Sequence, residues 1–261
     1  MIRPWCNKLG TALLVTACSI FLNMGGCDLF GWLPHPSDIV VDPPNICPQW
    51  DVDCDQISNA VETNGANAYL GLDPQVANAN PSIAHGTYSD GWIENALNLP
   101  NVGTGYSHYI GSDTVDKDDW GTLDVVIMIE AGGRDWYNDN HPPPRIGIGD
   151  LSHGDATSHQ FGGQFPPHSC HENGLEVDIR YVRNDGAELP LNIAGPDSLK
   201  YDISATADLM NYLIANGDVV LIYIDTAHAY LTDSGQDILH HWPGHSDHFH
   251  VRISDPDGTG N

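Results

Sequence analysis

Two short stretches of the chain alternate between polar and apolar side chains, the period of a half-buried β-strand. Residues 175–182 (LEVDIRYV) put Glu176, Asp178 and Arg180 on one face. Residues 248–253 put His248, His250 and Arg252 on one face and Phe249, Val251 and Ile253 on the other. Residues 145–149 and 219–225 read as two more strands. One helix is predicted after Ser204, its N-cap candidate, with Leu209, Met210, Leu213 and Ile214 as the apolar face and Gly217 just past its end. Residues 121–131 (GTLDVVIMIEA) are ambiguous between strand and helix. Together these elements predict an α+β fold, a mainly antiparallel sheet with flanking helices, over residues 81–261.

Ahead of that domain the pattern changes. Residues 9–24 are an apolar run too short to span a bilayer comfortably, with Arg3 and Lys8 before it and Gly25-Gly26-Cys27 after it. This is the layout of a secretory signal, and the cysteine makes it resemble that of a bacterial lipoprotein. Two lipidation sites fit. Cys18 has the better preceding residues, Val15-Thr16-Ala17; Cys27 leaves the more normal apolar length and a polar start at Asp28. Cleavage without a lipid is the plainer alternative. The chain is expected to be exported, to the periplasm or as an outer-membrane-associated lipoprotein, with residues 1–26 as the signal. Residues 27–46, rich in proline and without a period, read as a tether. An oxidising compartment permits a Cys47–Cys54 bridge and leaves Cys170 unpaired.

The formal net charge is −26 at pH 7, and loss of Arg3 and Lys8 with the signal makes the chain more acidic still. That balance excludes nucleic acid as a partner. It also repels anionic wall polymers, so action on a cell wall must rely on local contacts or bound cations. Within the segment 47–80, residues 51–62 (DVDCDQISNAVE) place Asp51, Asp53 and Asp55 at positions 1, 3 and 5 of an EF-hand-like calcium loop. The backbone carbonyl of Ile57 falls at position 7 and Glu62 at position 12. Gln56 stands where that loop has its turn glycine. An acidic, solvated linker is the alternative to a structural Ca2+ site.

The chain has 14 histidines, and ten of them fall between His153 and His250. Two clusters carry candidate chemistry: His168-Ser169-Cys170-His171 leading to Asp178, and His245-Ser246-Asp247-His248-Phe249-His250. Were the two alternating strands adjacent, Asp178 and His250 would lie side by side. A turn at Gly174 would bring His171 to the same point. The result is a His/Asp/His set, three protein ligands for a tetrahedral ion with the fourth position open, which suits Zn2+. His248, two residues from a ligand and on its face, is the candidate general base.

The spacing Ser169-x-His171-x-x-Gly174-x-x-x-Asp178, followed by His248-x-His250, resembles the double motif of a zinc metallopeptidase superfamily. It contains lysostaphin-type endopeptidases, D-alanyl-D-alanine peptidases and the hedgehog domain. Further elements make the chain most similar to the penicillin-insensitive murein endopeptidases: Gly86-Thr87-Tyr88-Ser89-Asp90-Gly91, Gly103-Thr104-Gly105-Tyr106, Ile148-Gly149-Asp150-Leu151, Gly162-Gly163 and Tyr223-Ile224-Asp225. The resemblance covers roughly residues 85–253. It implies a hedgehog/D-Ala-D-Ala-peptidase-like fold, one Zn2+ held by His171, Asp178 and His250 with a second ion possible, and peptidoglycan peptides as substrate. It also implies that His168 and His245 line the cleft, with His168 a further candidate ligand. In the carboxypeptidase branch an acidic residue in the place of Asp247 activates the water, so Asp247 competes with His248, and on a regular strand it would point the opposite way. An endopeptidase, a D,D- or L,D-carboxypeptidase and a non-catalytic zinc-binding adhesion domain all remain open. The family's arginine after its Gly-x-Gly-Tyr element is replaced by Ser107-His108-Tyr109, which leaves Arg134, Arg145, Arg180, Arg183 and Arg252 to meet a substrate carboxylate.

Overall fold

The computed structural model describes residues 49, 51, 56–79, 81–108, 117–139, 144–155, 157–164, 168–225 and 237–255. The signal, the tether, the Cys47–Cys54 pairing and the calcium-loop residues Asp53 and Asp55 lie outside the described residues. No helix among the described residues is long and apolar enough to cross a membrane.

The chain first forms a short helix α1 (Asn59–Glu62) and a hairpin of β1 (Ile83–Thr87) and β2 (Asp90–Glu94). Then come β3 (Leu97–Asn98), β4 (Val102–Gly103), β5 (Tyr106–His108), β6 (Trp120–Gly121) and the long helix α2 (Leu123–Asn138). Strands β7 (Ile146–Ile148), β8 (Gly154–Asp155), β9 (Gln160–Phe161) and β10 (Glu176–Arg180) follow. Helix α3 (Ile203–Asn216), β11 (Val219–Ile224), β12 (Leu239–His241) and β13 (His248–Ile253) complete it. Seven strands make the central sheet in the order β12-β11-β13-β10-β7-β5-β4. Its pairings are antiparallel except β11 with β12 and β5 with β7, which are parallel. This is an α+β arrangement with a mainly antiparallel, mixed sheet.

The alternation read from the sequence sets the two faces of that sheet. Val177, Ile179, Phe249, Val251 and Ile253 join Leu123, Val126, Met128, Ile129, Leu209, Met210 and Leu213 of α2 and α3 in one hydrophobic core. Each fully buried aliphatic side chain there contributes about 1.5–3 kcal/mol. The polar positions of β10 and β13 therefore point to the opposite face. Residues 121–131 resolve into the tail of β6 and the first turns of α2. Two of the less buried positions within that run, Ile127 and Ala131, are apolar, which blurs the helical stripe in the sequence. Helix α3 starts one residue before the predicted cap: the Asp202 side chain, not that of Ser204, accepts the Ala205 N–H, at 3.0 Å. A carboxylate at that position also favours the positive end of the helix dipole. Ile57 and Val61 belong to the main core, so the start of the described chain packs on the domain it precedes.

Candidate metal centre

Strands β10 and β13 pair antiparallel with Asp178 opposite His250, Glu176 opposite Arg252 and Arg180 opposite His248. The side-by-side placement expected of Asp178 and His250 is thus observed, and Asp178 Oδ1 lies 2.9 Å from His250 Nδ1. His171 reaches the same carboxylate from the loop before β10, with Nε2 3.3 Å from Asp178 Oδ1. Gly174 has φ +75°, and a side chain there would strike Ile93 at 2.4 Å, so only glycine turns the loop this tightly. His171 itself sits at φ +73°, unusual for a residue with a side chain. Two hydrogen bonds hold its backbone: its N–H donates to Glu176 Oε2 at 2.6 Å, and its carbonyl accepts from the Ser152 hydroxyl.

Glu176, fully buried, organises the polar face. Its Oε1 faces His250 Nε2 at 3.1 Å and accepts from Arg252 Nε at 2.6 Å, while Oε2 takes the His171 N–H. Carboxylates thus face both His250 nitrogens; with an ion on Nδ1, Glu176 would hold the Nε2–H, the second-layer partner typical of metal-binding imidazoles. Arg252 also lies over the Tyr88 ring at 3.6 Å, which ties the β1–β2 hairpin to the centre. Sequence reading placed Glu176 on this face but gave it no role; its spacing two residues before Asp178 was the available signal.

His171 has no exposed surface, and neither of its ring nitrogens has a hydrogen-bond partner. Orphaned buried polar atoms are rare and point to a missing ion or water. The donors around them are imidazole, carboxylate and thiol. His168, His171 and Asp178 each offer a ligand atom within 4.8 Å of the others, and so do Cys170, His171 and His250. These residues fit a metal ion. The electrostatics point the same way. Burial alone would raise the Asp178 carboxyl, yet His171, His250 and His248 hold it well below the ordinary carboxylate value. Burial likewise opposes ionisation of Glu176, and His250 and Arg252 still bring it to about 2. His250, although buried, is raised to about 9 by the two carboxylates. Without a metal, a proton on His250 balances their negative charge.

The remaining histidines surround this point. His168 Nε2 is 2.7 Å from Asp150 Oδ2, and this hydrogen bond raises its pKa. Asp150 is held against β10 because its backbone carbonyl accepts the Asp178 N–H at 2.8 Å. His248 Nε2 lies 3.6 Å from Asp178 Oδ2 and its Nδ1 2.8 Å from Asp247 Oδ1. Here the expectation that Asp247 points away from His248 is corrected. Strand β13 begins at His248, so Asp247 precedes the regular strand and its carboxylate curls back onto the imidazole. Burial lowers the pKa of His248, but Asp247 and Asp178 outweigh it and the net shift is upward.

His245 lies 5.1 Å from the His248 ring and 5.6 Å from that of Tyr223, and burial lowers its pKa. Its Nδ1 meets the Trp242 carbonyl at 3.0 Å, so Nδ1 carries the proton. Neutral His245 therefore presents Nε2 as an acceptor. Of the arginines, Arg145, Arg183 and Arg252 pair with Glu188, Asp185 and Glu176, and Arg180 donates to the Arg145 carbonyl. Arg134 stands near Glu130 on the α2 side. His108 pairs with Asp119 at 2.9 Å.

In the calcium-like loop, Gln56 adopts φ +76°, the left-handed turn that glycine makes in an EF-hand. Its N–H donates to Asp51 Oδ2 at 3.1 Å, and Glu62 Oε1 accepts from Asn78 at 3.1 Å. Ile57 packs its side chain in the core.

Compared with known proteins, the chain matches no family model and no curated sequence.

Proposed function

We propose that the chain is a zinc-dependent murein endopeptidase with a hedgehog/D-Ala-D-Ala-peptidase-like fold, exported to act on peptide cross-links of peptidoglycan. One observation carries the reading: His171, Asp178 and His250 converge, and the fully buried His171 ring has no hydrogen-bond partner for either nitrogen. Imidazole and carboxylate donors with one position left for water are the ligand set of a hydrolytic zinc site. When bound, the ion polarises the scissile carbonyl and acidifies the attacking water. The chain's own residues do the rest. His248 gives its Nδ1–H to Asp247 and turns Nε2 toward Asp178, so Nε2 accepts the proton of the attacking water. The same nitrogen later returns a proton to the leaving amine. Asp247 fixes the tautomer and favours the charged imidazolium. His245, by accepting through Nε2, orients an N–H of the peptide. No serine or cysteine attacks the substrate in this scheme, so activity is expected to be insensitive to β-lactams.

The test is incubation of the signal-free chain with cross-linked muropeptide dimers and, separately, monomeric pentapeptide, followed by mass spectrometry. Monomer release from dimers that a zinc chelator stops, and that His171→Ala and His248→Ala abolish, supports the proposal. Release of D-alanine from pentapeptide with dimers untouched makes the chain a carboxypeptidase. Turnover of neither substrate with zinc bound leaves a binding domain.

A further inference from the structure

Cys170 stands immediately before His171 and is half-buried at the edge of the polar face. Its Sγ, a ring nitrogen of His171 and a ring nitrogen of His250 all lie within 4.8 Å of one another. In a tetrahedral zinc site, bonds of roughly 2.0 Å to nitrogen and 2.3 Å to sulfur set the donors roughly 3.5 Å apart. Small side-chain movements therefore bring these three donors onto one ion. His171 supplies an independent sign: it is wholly buried, neither ring nitrogen makes a hydrogen bond, and Nδ1 lacks even the ion pair that Nε2 makes with Asp178. A thiol is too weak a hydrogen-bonding group to satisfy an imidazole, but as a thiolate it is a strong ligand for the same soft and borderline ions that imidazole binds. Cys170 is the free cysteine among the described residues.

We propose that Cys170 is a ligand of the metal centre. The inference rests on the metal reading above and extends it to a residue which that reading does not use. On binding, the S–H bond breaks, its proton passes to solvent and the sulfur electron pair forms the bond to the ion. With His171, Asp178 and His250 the thiolate makes four protein donors, the number that closes a tetrahedral shell. A closed shell leaves no place for water, so the thiolate is the donor that gives way when substrate enters. The centre then has a resting form, shut by sulfur, and a working form held by the histidines and Asp178.

Cobalt titration of the metal-free, signal-free chain reads the two claims separately. Co2+ in a tetrahedral site gives visible d–d bands, and a thiolate ligand adds a sulfur-to-cobalt charge-transfer band in the near ultraviolet. The expected result is both bands in the wild type. In Cys170→Ala the charge-transfer band falls by at least tenfold while the d–d bands persist. Cys170→Ser, closer in size, repeats the comparison should the alanine variant not fold. Adding cross-linked muropeptide to the wild-type cobalt protein weakens the charge-transfer band. If d–d bands appear without charge transfer, or if the band survives loss of Cys170, this inference falls and the metal reading stands. If no d–d bands appear at all, both fall.

Discussion

At the scale of single residues, the centre depends on which carboxylate touches which imidazole. His248 presents Nε2 to the site because Asp247 holds Nδ1. His248→Ala should lower kcat about 10²–10⁴-fold with metal content unchanged, as loss of a general base does. Asp247→Asn should cost less and move the acid limb of the pH–rate profile to lower pH. The sign follows from the shift: the carboxylate helps to raise the His248 pKa, so removing it lets that pKa fall and the free base persists at lower pH. A profile that moves upward or stays in place would contradict this role. Glu176→Gln keeps an acceptor for His250 Nε2 but removes the charge that pairs with Arg252. Metal affinity, read by competition with a chromophoric chelator, should drop about 10–100-fold. The alternating pattern of residues 175–182 made these facing positions legible. The His168–Asp150 and His248–Asp247 bonds were not legible, because both depend on where a strand ends rather than on its period.

Elements position these residues through their ends. Strands β10 and β13 were readable because one face is apolar and the other polar, so a period of two survives in the sequence. Helix α2 was not, since apolar Ile127 and Ala131 stand at its less buried positions and blur the polar stripe that signals a helix. The start of α3 shows how propensity and structure part: Ser204 and Asp202 are both good caps, and only the latter reaches the Ala205 N–H. Asp202→Ala should destabilise the fold by about 1 kcal/mol, whereas Ser204→Ala should change it by less than about 0.5 kcal/mol. Chemical denaturation of the two variants decides between the caps, and the reverse order would refute the assignment.

For the molecule as a whole, a strongly acidic chain gathers buried histidines against two buried carboxylates. In the metal-free protein His250 keeps its extra proton up to about pH 9. A metal must displace that proton, so binding at pH 7 should release about one proton from His250, with a second from Cys170 when the thiolate ligates, and weaken as the pH falls. Calorimetric titration of Cys170→Ala in buffers of different ionisation enthalpy isolates the His250 share; a value of zero there would mean that no proton is displaced from His250. The most direct test of the central claim is native mass spectrometry of the signal-free chain after zinc titration. The account predicts one tightly held Zn2+ per chain, lost in His171→Ala and in Asp178→Ala while both variants remain folded. A wild-type chain that stays metal-free, or variants that bind zinc as the wild type does, would contradict it.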